Sequence, residues 1–185
     1  EHVVVRDTTG IDRAGWILTG GVTFRAAEVR LAATLLDGSS AEDALNLIRS
    51  DFAFFDLAID DTASDAFDCD FSKGTIHGGR IGNVGGDGID LSGSEVVVDG
   101  VRFVGIRDKA LSAGEKSELS AHNLKIEKVG TAAASKDSSE LTLFDSIVSD
   151  VDHVALMAYQ KKEEYGPARL RARNVALNRV ARAAG

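Results

Sequence analysis

The chain has 185 residues, of which 44% are hydrophobic and 27% charged, with a net charge of −8. That length suffices for one sizeable domain, and the negative charge argues against nucleic acid as a partner. No apolar run approaches the roughly 18 residues of a membrane span, and Cys69, the single cysteine, rules out an internal disulfide.

The charge is uneven. From Asp37 to Asp108 there are 15 acids against 5 bases, and from Lys161 to Gly185 there are 7 bases against 2 acids. The first segment is suited to cations, the second to anions, and both also serve as solvated surface. Glycine is abundant (19) and proline nearly absent (Pro167 alone), the composition of a chain that turns often and tightly.

In chain order, Glu1-His2-Val3-Val4-Val5 starts as if in mid-strand. The expectation is therefore a piece of a longer protein, residues 1–185 forming a single domain with other domains at one or both ends. Trp16-Ile17-Leu18 and Val22-Thr23-Phe24 read as strands around Gly20-Gly21, and Val29 to Leu36 follows as another. Ser40 to Ile48 is ambiguous, because Ser40 with Asp43 resembles a helix cap. A repeat favours strand. Asp43-Ala44-Leu45-Asn46-Leu47 lies 22 residues before Asp65-Ala66-Phe67-Asp68-Cys69, which lies 22 before Asp87-Gly88-Ile89-Asp90-Leu91.

The same interval continues to Lys109, Thr131 and His153. Within each copy small and apolar residues alternate, as in a strand with one buried face. A second strand recurs at Ile76, Val96-Val97-Val98, Leu119 and Leu141-Thr142-Leu143, and a third carries Ile59, Ile81, Phe103, Ile126 and Val148. Three short strands per copy make a coil, and a helical hairpin repeat would need a longer period. The expected fold is all-β, a right-handed parallel β-helix of about six to seven coils of roughly 22 residues. Val175 to Ala184 is expected to be the last strand with a short cap, and the N-terminal end shows no evident cap.

Alternation turns Asn46 and Ile48, Asp68 and Asp70, Asp90 and Ser92, Ser112 and Gly114, and Ala134 and Lys136 outward on one ladder. Stacked strands lie about 4.8 Å apart, so Asp68, Asp70 and Asp90 form a three-carboxylate cluster. Such a cluster holds a shared proton or a cation. It suits Ca²⁺, acid–base work on a glycosidic bond, or simply a solvated face. Lys109 is placed to pair with Asp87 across coils, a contact worth at most about 1 kcal/mol if exposed. Cys69 points inward as an inert thiol. Gly85-Gly86-Asp87-Gly88-Ile89-Asp90 resembles the start of a calcium-binding nonapeptide, but no second copy follows, and the glycines read as turn residues. His77, His122 and His153 do not fall in one column, which argues against a histidine metal site.

The stacked columns resemble the right-handed parallel β-helix of the pectin-lyase-like superfamily over about residues 15–178. Ala41-Glu42-Asp43-Ala44-Leu45-Asn46, Gly86 to Ser94 and Tyr159-Gln160-Lys161-Lys162 resemble a bacterial group of right-handed β-helix repeat proteins. The resemblance implies a module that binds or modifies an acidic polysaccharide in lyase or epimerase fashion. The alternative is a non-catalytic scaffold of a cell-surface protein. It also implies an extracellular, periplasmic or cell-surface location. Polygalacturonases of this fold carry a Gly-His-Gly after acids like those of Asp65-Ala66-Phe67-Asp68, whereas here that coil reads Lys109-Ala110-Leu111-Ser112-Ala113-Gly114. The departure argues against hydrolysis of that type. Lyase or epimerase chemistry would use Asp68 and Asp90 with Lys136 as charge neutraliser. Lys116, Lys161 and Arg107 are further cations, and Tyr159 is an acid. Asp70, Ser92, Ser112, Tyr159 and Lys161 would line the substrate path, and Ca²⁺ on Asp68, Asp70 and Asp90 would be the cofactor. The segment Tyr159 to Pro167 breaks the rhythm and is expected to leave the coil as a loop walling the groove.

Overall fold

The computed structural model describes residues 2–185; Glu1 lies outside them. Every regular element is a strand: β1 (Val3–Arg6), β2 (Ile11–Arg13), β3 (Trp16–Leu18), β4 (Gly20–Arg25), β5 (Glu28–Ser39), β6 (Asp43–Ile48), β7 (Asp51–Thr62), β8 (Asp65–Asp70), β9 (Lys73–Val84), β10 (Ile89–Ser92), β11 (Glu95–Asp99), β12 (Arg102–Gly114), β13 (Glu118–His122), β14 (Lys125–Lys136), β15 (Glu140–Tyr159) and β16 (Arg169–Val180). Among the described residues, no helix is long and apolar enough to cross a membrane. Within the stretch from Ser40, Asp43–Ile48 forms strand β6, so the repeat overrides the helix cap.

Every pairing except the β2–β3 hairpin is parallel and joins one coil to the next, giving a parallel β-helix of about six coils. Strand crossovers of this kind are right-handed almost without exception. Three stacks run along the molecule. The first contains β4, β6, β8 and β10 and the ends of β12, β14 and β15. The second contains β11 and β13 with the starts of β5, β7, β9, β15 and β16. The third begins at β1 and contains the remaining segments, among them Ile59, Ile81, Phe103, Ile126 and Val148 in one column.

Bends separate the stacks, and residues in the left-handed region make them. After the first stack these are Ala26, Arg49, Phe71, Gly93 and Glu115; after the second, Asp56, Gly78, Gly100, Asn123, Asp145 and Asn174. Glycine, Asn and Asp tolerate that conformation best. Just past the first bend a column of buried serines links the coils. The backbone N–H of Ser50, Ser72, Ser94 and Ser117 each donates to the hydroxyl of the next serine, Ser72, Ser94, Ser117 and Ser139, at 2.9–3.1 Å.

Inward residues of the three stacks form one core, including Leu45, Phe67, Ile89 and Leu111. Phe52, Phe54 and Phe67 cluster with ring centroids 4.7–5.7 Å apart. Gly74 makes room for them, since a Cβ there would strike the Phe52 ring. Cys69 is fully buried, as expected.

Several expectations change. Gly86 and Gly88 lie in the bend before β10, as expected, and have a second role. A Cβ on Gly86 would strike the Asp65 carboxylate and one on Gly88 would lie 2.7 Å from the Ala110 carbonyl oxygen, so both permit close approach between coils. The period is not a uniform 22. Thr131 pairs with Val154 and Ala134 with Met157, which removes His153 from the column assigned to it. The C-terminal tail is not a cap. Ala155 and Leu156 donate to the carbonyls of Arg182 and Ala183, so the tail adds another rung to the first stack. At the other end the β2–β3 hairpin leaves Trp16 and Ile17 more than two-thirds exposed.

Candidate functional site

Strand β8 positions the centre of the acidic face. Phe67 and Cys69 are locked in the core, so the pleat sends Asp68 and Asp70 to the other side. Register then builds two outward columns. One runs Asn46, Asp68, Asp90, Ser112, Ala134, Met157. The other contains Ile48, Asp70, Ser92 and Gly114, and further up Lys136 and Tyr159.

The face is more enclosed than a solvated ladder would be. Asn46, Ser112, Ala134 and Lys136 are buried, while Asp68, Asp70, Asp90, Ser92 and Tyr159 are half-buried. Lys136 does the covering. Its side chain lies across Gly114, where a Cβ would come within 2.6 Å of its Cε, and its Nζ reaches Asp90 Oδ1 at 3.3 Å, two coils away. Ser112, expected to touch substrate, is fully buried here. Lys161 is exposed in the loop after β15 and lies off both columns. That loop folds back onto the preceding bends, with Lys162 paired to Glu115 and the backbone N–H of Lys161 and Lys162 donating to Asp137 Oδ1.

Hydrogen bonding ties the acids together. Asn46 Nδ2 donates to Asp43 Oδ2 and Asp68 Oδ2, both at 3.0 Å, and the Cys69 N–H donates to Asp68 Oδ1 at 3.0 Å. Just before the strand, Asp65 Oδ1 accepts the Asp87 N–H at 2.7 Å, and Asp87 Oδ1 accepts both the backbone N–H and the Nζ of Lys109. The expected cross-coil Asp87–Lys109 pair forms, and it is largely buried. Two polar atoms on the central column, Asn46 Oδ1 and Ser112 Oγ, are enclosed without a hydrogen-bond partner, and they flank Asp68 and Asp90 on either side.

Burial and mutual repulsion raise the carboxyl pKa values. Burial, reinforced by Asp70, Asp43 and Asp90, pushes Asp68 up to about 8. Burial also pushes Asp65 up to about 6 despite the bond from the Asp87 N–H. Asp43, Asp70 and Asp87 move upward for the same leading reason, with Lys109 opposing it at Asp87. Burial works against the Lys109 charge, but Asp108 and Asp87 outweigh it and hold the ammonium above its usual value. Burial pushes the Cys69 thiol up to about 12, consistent with an inert core residue.

Among the His, Cys, Asp and Glu side chains of the described residues, the three whose possible ligand atoms all lie within 4.8 Å of one another are Asp65, Asp87 and Asp90. The expected calcium set was Asp68, Asp70 and Asp90. Calcium takes six to eight oxygens, and here Lys109 Nζ already neutralises Asp87 at 3.0 Å, so an ion would have to displace it. Beside the columns, at the bend after the first stack, lies a groove of about 680 Å³ lined by Arg49, Phe71, Lys73, Glu95 and Lys116 among others. Phe71 is 60% exposed and sits between Gly93 and the Arg49 guanidinium, which lies 5.8 Å from its ring centroid. The sequence signal for this groove was an aromatic residue at a bend position, which the period-two pattern of the strands does not register.

These features define a parallel β-helix protein with an acidic, half-enclosed face on its first stack. No family model matches the chain, and no curated protein sequence matches it. Among solved structures, the catalytic domain of a GH87 alpha-1,3-glucanase in complex with nigerose is similar over 96% of this chain, with 8% identity and a TM-score of 0.43. A substituted form of a GH87 alpha-1,3-glucanase catalytic domain in complex with tetrasaccharides is similar over 96% of this chain, with 10% identity and a TM-score of 0.40. The chain spans about half the length of these structures, 51% in each case.

Proposed function

We propose that this chain is a carbohydrate-directed β-helix whose working surface is the acidic face of the first stack together with the adjoining groove. The observation that carries the reading is the unequal pair Asp68 and Asp90 on adjacent rungs. Asp68 keeps its proton to about 8, while Asp90 is paired with the Lys136 ammonium at 3.3 Å. A protonated carboxyl beside a lysine-held carboxylate is the complement needed to protonate a leaving oxygen and meet the positive charge developing on a sugar ring. Register places the two side chains on neighbouring strands of one face, about 4.8 Å apart at the backbone. Phe71 adds an exposed ring against which a sugar face can pack.

The charge of the face bears on substrate class. Asp43, Asp65, Asp68, Asp70, Asp87 and Asp90 crowd it, and its two lysines, Lys109 and Lys136, are both engaged by aspartates. This favours a neutral glycan. Lyase or epimerase chemistry on an acidic polysaccharide would need Ca²⁺ at Asp65, Asp87 and Asp90 to screen the substrate carboxylate. The scaffold reading is favoured by one specific observation: Ser112 and Ala134 are fully buried, so the upper part of the face is filled by protein.

A panel of neutral glucans, xylans and mannans alongside uronate polymers separates these readings. The expected result is new reducing ends from a neutral glycan, reduced about 10²–10⁴-fold by Asp68→Asn and by Asp90→Asn, with circular dichroism unchanged. Unsaturated uronate products that require calcium would move the assignment to a lyase. Neither product nor retention on any polymer in affinity electrophoresis would leave the scaffold.

A further inference from the structure

We propose that His77, Asp99 and His122 form a binding site for a divalent transition-metal ion on the outer side of the second stack, away from the acidic face. Register brings them together: Asp99 of β11 pairs with His77 of β9 on one side and with His122 of β13 on the other. The adjacent residues Ile76, Val98 and Ala121 are buried, so alternation turns the histidines and the aspartate outward on three consecutive rungs. A fixed 22-residue frame hides this, because Asp99 to His122 is 23 residues. The extra residue is accommodated at the bend, where Glu115 and Lys116 both take positive φ.

The surroundings are those of an oriented ligand set. His77 Nδ1 faces Asp99 Oδ2 at 3.8 Å, with both side chains more than 40% exposed. That separation is too long for a hydrogen bond and near the roughly 3.4 Å that two ligands about 2.1 Å from one tetrahedral ion would take. Asn123 Nδ2 donates to the other oxygen, Asp99 Oδ1, at 2.7 Å and fixes the carboxylate. His122 Nε2 lies 2.8 Å from the Ser120 hydroxyl, which accepts a hydrogen bond from Thr142 Oγ1. In the tautomer with the proton on Nε2, the Nδ1 lone pair is unengaged, and Ser120 holds the ring in its metal-free orientation. Phe55 stacks on His77 at 5.7 Å and Phe144 packs tilted against His122 at 5.4 Å, closing the column at both ends.

An ion above Asp99 is one rung, about 4.8 Å, from each histidine column position. His77 already faces that point; as the rings stand, the three ligand atoms do not all lie within 4.8 Å of one another, and rotation of the half-exposed His122 ring, giving up its Ser120 contact, completes the set. Two imidazoles and one carboxylate select Zn²⁺, Cu²⁺ or Ni²⁺ over the all-oxygen ions Ca²⁺ and Mg²⁺. Three protein ligands leave at least one position for water or an added ligand.

The test is calorimetric titration of EDTA-treated protein with Zn²⁺ in a non-chelating buffer, with the visible spectrum of the Co²⁺-loaded protein as a second readout. One saturable equivalent is expected. His77→Ala, His122→Ala and Asp99→Asn should each weaken it at least tenfold and change the Co²⁺ bands, while His153→Ala and Asp68→Asn leave both unchanged. The three ligands are partly exposed, so circular dichroism of the variants should match the parent. No saturable uptake would overturn the site. So would uptake that survives the double substitution of His77 and His122, or that is lost on Asp90→Asn.

Discussion

Asp68 concentrates the electrostatic cost of the acidic face in one side chain. Unfolded, an aspartate titrates near 3.9; in the fold, burial and the carboxyls of Asp70, Asp43 and Asp90 push Asp68 up to about 8. Between those values the native chain keeps a proton that the unfolded chain has released, so raising the pH favours unfolding. The associated stability is fully present below about pH 4 and is lost as pH climbs through about 8. Asp65, raised to about 6, acts in the same direction over a narrower window. Thermal melts between pH 5 and 9 should show the parent losing stability as pH rises. Asp68→Asn should flatten part of that slope and be more stable than the parent at pH 9, by on the order of 1–3 kcal/mol. Parallel curves for the two proteins would refute the assignment. Much of this was legible in the sequence, because a period of two places Asp68, Asp70 and Asp90 outward without ambiguity. The reach of Lys136 to Asp90 was not, since it depends on Gly114 leaving the path open between coils. Asp65 and Asp87 lie just before the outward ladder, yet they complete the oxygen cluster, because backbone hydrogen bonds across rungs draw them in.

At the level of elements, the bends and the serine column hold the strands in register more specifically than hydrophobic alternation does. Ser94 shows why. Its hydroxyl accepts the Ser72 N–H at 3.0 Å and donates to the carbonyl oxygen of Cys69 at 2.8 Å, with Ser92 O also within reach, all inside the molecule. Ser94→Ala leaves the Ser72 N–H buried without a partner, which should cost about 1–3 kcal/mol. Urea denaturation should show a lower midpoint with an unchanged slope; a midpoint equal to the parent's would mean that water or another acceptor replaces the hydroxyl. The serines stand in the sequence at Ser50, Ser72 and Ser94, one period apart, but their role is invisible there because small polar residues also make ordinary turns. The strands themselves were legible because Leu45, Phe67, Ile89 and Leu111 recur at a constant interval. The histidine column was not, because the inserted residue at the Glu115–Lys116 bend shifts the second and third stacks to a 23-residue interval, while the first stack keeps 22 from Leu111 to Ala133. A single frame cannot describe stacks that change length at different corners.

For the molecule as a whole, the β-helix is nearly one-dimensional, each coil supported only by its neighbours. Burial follows that geometry. Residues 131–136 are wholly buried, whereas residues 2–18 and 169–185 are largely exposed. The basic C-terminal strand is held partly by exposed ion pairs, Arg169 with Glu140 and Arg179 with Asp150. Such pairs contribute about 0–1 kcal/mol each, so they orient the last coil more than they stabilise it. Local opening should therefore become harder from either end toward the middle. Hydrogen exchange followed by mass spectrometry at increasing urea should release peptides from residues 2–18 and 169–185 first and those spanning 109–136 last. Ser94→Ala should lower protection in the coils around Ser72 and Ser117 before it affects either end. If every peptide instead exchanged in one concerted step, with the Ser94→Ala effect spread evenly, the coils would be acting as a single unit rather than as a stack of neighbours. The serine column would then be binding the molecule along its whole length, not merely joining adjacent rungs.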